Sequence, residues 1–171
     1  MIYVSPLSDV EGAIARHKPS HLVSLLDPES MIETPSGITR TQHLRLSVND
    51  IAEPIDTLLP PGEQHVAELV SFIRGWDQTA PLLVHCWAGI SRSTAAAFVA
   101  LCVLNEDASE EALAMLIRQR GAHAYPNRLI VGLADNLLRR KGRMISAVEA
   151  MGPARGAWEG QTFSLPARPQ V

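Results

Sequence analysis

Three features of the chain predict an α/β fold with a mostly parallel central sheet and helices on both faces. Short apolar runs at residues 2–4, 21–26, 43–48 and 82–84 alternate with stretches of helical periodicity. The run Leu82-Leu83-Val84 is apolar at every position, the pattern of a strand buried on both faces as in a parallel sheet. With 171 residues, 46% of them hydrophobic and 19% charged, the chain has material for one well-buried core.

The elements follow in order. Ile2-Tyr3-Val4 reads as a short strand. Ser8 is placed to cap a helix, with Asp9 and Glu11 in its first turn and Pro19 as its stop. His21-Leu22-Val23-Ser24-Leu25-Leu26 reads as a buried strand closed by Asp27-Pro28. Residues 29–41 contain Pro35-Ser36-Gly37 and read as loop with one helical turn. His43-Leu44-Arg45-Leu46-Ser47-Val48 alternates as a strand does, and Asn49-Asp50 ends it. Residues 54–61 are loop-like.

An amphipathic helix over 62–74 puts Val66, Leu69, Val70 and Ile73 on one face, with Gly75 as its C-cap. Pro81 introduces the strand at 82–84, and a helix follows from Arg92 to about Leu104. Ser109-Glu110-Glu111 opens another, with Leu113, Leu116 and Ile117 facing inward and Gly121 closing it. Pro126-Asn127 opens a further helix through Ile130, Leu133 and Leu137, ending near Lys141-Gly142. This reading divides the chain into one domain over 1–142 and a C-terminal segment over 143–171, a helical turn followed by extended or mobile chain.

Composition narrows the function classes. A net charge of −3 argues against a nucleic-acid partner held by charge. No long uncharged apolar run is present, so no membrane partner is expected. The stretch Met1-Ile2-Tyr3-Val4-Ser5-Pro6 has neither a basic start nor an apolar signal segment. Two cysteines make no disulfide framework, and a reducing, cytoplasmic location is expected.

Chemistry concentrates in residues 82–97, Leu-Leu-Val-His-Cys-Trp-Ala-Gly-Ile-Ser-Arg-Ser-Thr-Ala-Ala-Ala. The order is strand, tight loop, helix, with Cys86 where the loop begins. A loop that feeds a helix N-terminus aims several backbone N–H groups at one point, and the helix dipole adds positive potential there. Gly89 lets the backbone bend and approach a ligand closely. Arg92 adds a planar fork that holds two oxygens of an oxyanion at once. The same field favours the Cys86 thiolate: a free thiol titrates near 8.5, and such surroundings lower this to about 3.5–7.5. An anion cradle with a nucleophile at its floor is the result, and the idea requires that solvent and substrate reach the sulfur.

The residues His85-Cys86-x-x-Gly89-x-x-Arg92-Ser93 resemble the signature of the cysteine-dependent protein tyrosine phosphatases. Ile90-Ser91-Arg92-Ser93 is most similar to the compact dual-specificity subgroup, with the small bacterial-type tyrosine phosphatases beside it. The resemblance spans about residues 20–140 and implies a phosphatase-type, dual-specificity-like fold. It implies an enzyme that hydrolyses phosphotyrosine esters, with phosphoserine and phosphothreonine as further candidates, through a cysteinyl-phosphate.

Cys86 is then the nucleophile. Trp87, Ala88, Gly89, Ile90, Ser91 and Arg92 bind phosphate, and Ser93 stabilises the thiolate as it leaves. His85 holds the loop and tunes Cys86. Ala124-Tyr125-Pro126-Asn127 resembles the family's Pro-Asn step, where the asparagine braces the catalytic loop. The family's acid is an aspartate on a loop after an earlier strand, which points to Asp50; Glu53 and Asp56, further along the same loop, compete with it. No cofactor and no metal are implied. The expected partners are a phosphorylated protein or small phosphoester, and a phosphate or sulfate ion in the loop.

The loop interior carries no basic residue besides Arg92, which disfavours phosphoinositide substrates. Cys102 shares helical spacing with Phe98 and Leu101 and reads as core. Other functions stay open: a rhodanese-like sulfurtransferase or an arsenate reductase, which also place a thiolate in an anion-binding loop, or a module that binds phosphorylated partners without turnover.

Overall fold

The computed structural model describes residues 1–53 and 55–171; the expected loop at 54–61 therefore includes one residue, Pro54, outside the described ones. A five-stranded sheet has the order β3-β2-β4-β1-β5, with β1 Ile2–Pro6, β2 His21–Leu26, β3 His43–Ser47, β4 Leu82–Cys86 and β5 Phe163–Leu165. The pairs β1/β4, β2/β4 and β2/β3 are parallel, and only β5 runs antiparallel, on β1. The α/β class and the mostly parallel sheet are as the sequence predicts.

The two faces of the sheet are filled unequally. One carries α1 (Val10–His17), whose Val10 and Ala13 pack with Leu22, Ile38 and Leu83 in a small cluster. Against the other lie α2 (Glu63–Gly75), α3 (Arg92–Leu104), α4 (Glu110–Arg120), α5 (Arg128–Leu137) and α6 (Arg143–Ala150). Helix α3 is buried from end to end because it contacts β4 and β1 on one side and α2, α4 and α5 around the rest. Ala95, Ala96 and Ala97 give it a slim first half, so its axis can approach the strands closely.

Several ends differ from expectation. Ser8 does not cap α1; Leu7–Asp9 form a 3₁₀ turn, and the Ser8 hydroxyl donates to Glu159 Oε1 at 2.8 Å. Lys18, at φ +47°, closes α1 before Pro19. Gly75 is the last residue of α2 rather than its cap, because Trp76 turns inward, 2% exposed, and donates its indole N–H to Ala80 O. Helix α5 stops at Leu137, before the expected Lys141-Gly142, where Arg139, Lys141 and Gly142 adopt left-handed backbone.

After residue 142 the chain forms α6, an irregular stretch and β5. Asp135 sets the start of α6 by accepting Gly142 N and Met144 N at 2.7 and 2.8 Å, which meets two of the amide donors a helix start leaves free. Leu165 in β5 is fully buried, so the extended part of this segment is the edge strand of the sheet.

Candidate active site

Parallel strands deliver their carboxyl ends to one edge of the sheet, and order decides which ends meet. Here β2 lies between β3 and β4, so Asp27 after β2, Asn49-Asp50 after β3 and Cys86 at the end of β4 converge. The loop from Trp87 to Ser91 then turns into α3. Its carbonyls face outward: Trp87 O accepts Leu7 N at 3.0 Å, Ala88 O accepts Gly160 N at 2.8 Å, and Ile90 O accepts Tyr125 N at 2.8 Å. Ser91 O accepts Ala95 N at 3.0 Å and Asn127 N at 3.3 Å, and the Thr94 hydroxyl bonds both Ile90 O and Ser91 O.

None of the backbone N–H groups of residues 87–91 donates to a protein acceptor among the described residues. Amides left without partners at a helix start form a concavity for an anion. Gly89 makes the ring possible. Its φ is +70°, and a Cβ there would stand 2.7 Å from Pro6 N and 2.9 Å from Ser5 C, inside the end of β1.

Cys86 lies under this loop, with its Sγ 3.1 Å from Ser93 Oγ on the first turn of α3. It is 1% exposed and is not among the residues that border the adjacent cleft, so the access to the sulfur that the sequence reading requires is not open here. Beside it the Arg92 side chain is buried and divided between two tasks. Nη1 donates to Val48 O at 2.7 Å and to Asp27 Oδ1 at 3.1 Å. Nε is buried without a hydrogen bond, 3.8 Å from Asp50 Oδ2. Nη1 is thus anchored to the residues that directly follow β2 and β3, and Nε remains a donor without a partner among the described residues.

Asp50 stands at the rim. Its Oδ1 accepts the Ser91 hydroxyl at 2.7 Å and the Asn127 amide at 2.9 Å. Asn127 Oδ1 accepts Leu129 N and Ile130 N and caps α5, so this residue is both a helix cap and a tie to the Asp50 loop. Asn49 closes the base of that loop by exchanging bonds with Leu59, at 2.8 Å each way, and donates to Asp27 at 2.8 Å. Glu53 and Asp56 are exposed and hold no bond to the cradle among the described residues. Asp27, Ser30, Asn49, Asp50, Trp87 and Arg92 border a cleft of about 470 Å³, completed by Ile51, Leu58 and Ala88.

Behind the cradle runs a buried polar row. His85 Nε2 is 2.6 Å from Ser24 Oγ, which is 2.8 Å from His43 Nε2, and His43 Nδ1 is 3.0 Å from Thr34 Oγ1. One hydroxyl proton serves one ring at a time, so the two imidazoles take complementary tautomers. Burial holds both neutral, with each pKa lowered to about 4.

Sequence reasoning marked Cys86, Arg92, Asp50, Ser93, His85, Asn127 and the loop from Trp87 to Ser91, and the structure brings all of them together. It missed Asp27, read only as the end of a strand, and the row Ser24–His43. The signal for Asp27 was its place at the carboxyl end of a buried parallel strand.

No family model and no curated protein matches the sequence. Solved structures do. The crystal structure of DUSP15 is 23% identical and superposes with a TM-score of 0.63 over 91% of this chain and 92% of that one. Human tyrosine phosphatase-like serine/threonine/tyrosine-interacting protein is 18% identical, with a TM-score of 0.62 over 82% of this chain and 92% of that one. PTPMT1, solved in complex with PI(5)P, is 14% identical, with a TM-score of 0.60 over 90% of this chain and 95% of that one. The chain therefore has the dual-specificity-phosphatase type of α/β fold, as the signature at residues 85–93 implied.

Proposed function

We propose that this chain is a cysteine-dependent phosphatase acting on phosphotyrosine, with phosphoserine and phosphothreonine esters as further substrates. The observation that carries the reading is the run of loop amides after Cys86 with no acceptor among the described residues, its carbonyls tied outward, and Arg92 buried on the first turn of the helix that follows. Such a run matches the charge on the equatorial oxygens of a phosphoryl group in transfer.

In the first step the Cys86 thiolate forms an S–P bond as the P–O bond to the substrate breaks. Asp50 gives its proton to the departing oxygen. Its Oδ1 is engaged by Ser91 and Asn127, and Oδ2, 3.8 Å from Arg92 Nε, is the oxygen without a hydrogen bond among the described residues. In the second step Asp50 takes a proton from water, the water oxygen attacks phosphorus, and Cys86 leaves as thiolate with Ser93 donating to it. Inorganic phosphate departs. Asp27 and Val48 O hold Arg92 in register throughout, and all these residues lie within residues 1–142.

The cleft also bears on the substrate. Arg92 is the only cation among its lining residues, with Asp27 and Asp50 on the same walls, and Trp87, Ile51 and Leu58 supply apolar surface. This supports a single phosphoryl group on an aromatic or apolar carrier over a polyphosphorylated headgroup. No helix among the described residues is long and apolar enough to cross a membrane, and a cytoplasmic location is proposed on the strength of the unpaired thiols.

A phospho-binding module without turnover is the second reading, favoured by the 1% exposure of Cys86. Hydrolysis of para-nitrophenyl phosphate separates the two. The enzyme turns it over in wild type and not in Cys86→Ser, and Asp50→Asn is at least about tenfold slower; a binder turns it over in neither form. An unchanged rate in Asp50→Asn would remove Asp50 from the mechanism.

A further inference from the structure

Two segments grip the outer side of the catalytic loop. Residues 121–125 do so through Tyr125 N to Ile90 O, and residues 155–162 through Gly160 N to Ala88 O, both at 2.8 Å. Arg155 N to Ala122 O, also 2.8 Å, ties the two segments to each other. They enclose a cavity of about 420 Å³ whose lining includes Arg120, His123, Arg155, Glu159, Gln161 and Thr162. Ala88 borders the catalytic cleft and accepts Gly160 N, and Gly160 stands in the chain between Glu159 and Gln161 of this lining, so one hydrogen bond links the two concavities.

The charges in this cavity are not matched from within the protein. Of the arginines nearby, Arg118 is engaged by the carbonyls of Ala122, Ala124 and Gly152, and Arg128 by Glu149. The Arg120 and Arg155 side chains hold no ion pair or hydrogen bond among the described residues, and both line the cavity. His123 Nε2 is buried there without a partner. The one carboxylate of the lining, Glu159, accepts the Ser8 hydroxyl, and the Thr162 hydroxyl donates to Asp9. Another surface concavity holds Arg74 and Arg139, whose side chains have no ion pair among the described residues, but it also contains Glu106 and Asp107 and does not adjoin the loop.

The catalytic cleft is the electrostatic opposite, with one guanidinium between two carboxylates. It suits one phosphoryl group and repels further negative charge, which the neighbouring cavity would attract. We infer that the Arg120–Arg155 cavity is a second anion site, which receives an acidic group flanking the phosphorylated residue of a peptide substrate. The group is a carboxylate or a further phosphate. This rests on the phosphatase reading and deepens it, since it names the kind of peptide the enzyme prefers.

The test compares phosphotyrosine peptides that differ only in carrying Glu, Gln or phosphoserine beside the phosphotyrosine, on either side. Wild type should hydrolyse the Glu peptide with kcat/KM about three- to tenfold above the Gln peptide, through KM, and the preference should shrink as salt rises. Arg120→Gln with Arg155→Gln should erase the preference and leave para-nitrophenyl phosphate turnover as in wild type. Relative rates of the Glu and phosphoserine peptides name which anion the site takes. Fluorescence anisotropy of the same peptides on Cys86→Ser reads the site without turnover.

Equal binding of Glu and Gln peptides, or a preference that survives the double substitution, overturns the inference. If para-nitrophenyl phosphate is not hydrolysed while the arginine-dependent binding preference stands, the phosphatase reading fails and the anion site holds.

Discussion

Cys86 and Cys102 are both buried, at 1% and 0% exposure, yet they face unlike surroundings. Cys102 lies on the third turn of α3 among Phe98, Leu101 and the rest of the main core. Burial there pushes its thiol up to about 12. Cys86 lies before the first turn of the same helix, beneath a ring of unpartnered amides and 3.1 Å from the Ser93 hydroxyl. The helix dipole acts within its terminal turn and hardly at all further along. The pair teaches that equal burial leaves two thiols in unlike settings: one precedes a loop whose amides have no acceptor among the described residues, the other lies within the packed helix.

The most direct way to break this contrast is to remove each sulfur in turn. Cys86→Ser should lower the rate on para-nitrophenyl phosphate at least about a thousandfold, whereas Cys102→Ala should keep it within about twofold once folding is confirmed by circular dichroism. Equal losses in two folded variants would dissolve the distinction.

Alkylation sharpens it without any substrate. Iodoacetamide at pH 7, followed by mass spectrometry of peptides, should label Cys86 at least about a hundredfold faster than Cys102, and inorganic phosphate should protect Cys86. If Cys86 reacts only in urea, the floor of the cradle is closed and the enzyme reading falls with it.

The ring can also be strained at Gly89. Gly89→Ala adds a Cβ against Pro6 and Ser5 at a φ of +70°, a cost on the order of 1–3 kcal/mol in urea unfolding. Activity should fall with it, because the amides move. An alanine variant as stable and active as wild type would show that the close approach to β1 does not shape the cradle.

The smallest effect concerns the buried polar row that begins at His85, next to Cys86. His85 and His43 are neutral in the fold with pKa lowered from 6.5 to about 4, chiefly by burial. Between these values the unfolded chain binds protons that the native state refuses. Their contribution to stability is therefore full above about pH 6.5 and eroded as pH falls toward 4. The melting temperature should drop over that window by an amount on the order of several degrees. His43→Asn should flatten the slope; an unchanged slope would mean that His43 does not titrate with folding.

Much of this was legible in the chain. Strand and helix positions follow from periodicity, and the cradle follows from a motif whose members lie within a few residues of one another. Asp50 was legible through the resemblance, which puts the acid on a loop after an earlier strand, and a strand pattern ends at Asn49-Asp50. The bonds that make these residues a site were not. Nothing local marks Val48 O or Asp27 as the anchors of Arg92, and Asp27-Pro28 looks like any strand end. Nothing near Ser24 announces His85 and His43 on either side of its hydroxyl. Gly160, whose amide holds the outer face of the loop, stands in a segment read as extended or mobile.

By itself the sequence determined the α/β class, the strand–loop–helix cradle, its thiol and its arginine, because each depends on side-chain periodicity or on residues adjacent in the chain. Only the tertiary structure decided the order β3-β2-β4-β1-β5, and with it which strand ends meet. That order brings Asp27 and Val48 to Arg92, Asp50 to Ser91 and Asn127, and the C-terminal segment to the back of the loop. The physical reason is one of range: periodicity and capping act over a few residues, whereas pairing of distant strands is settled by the packing of the whole core.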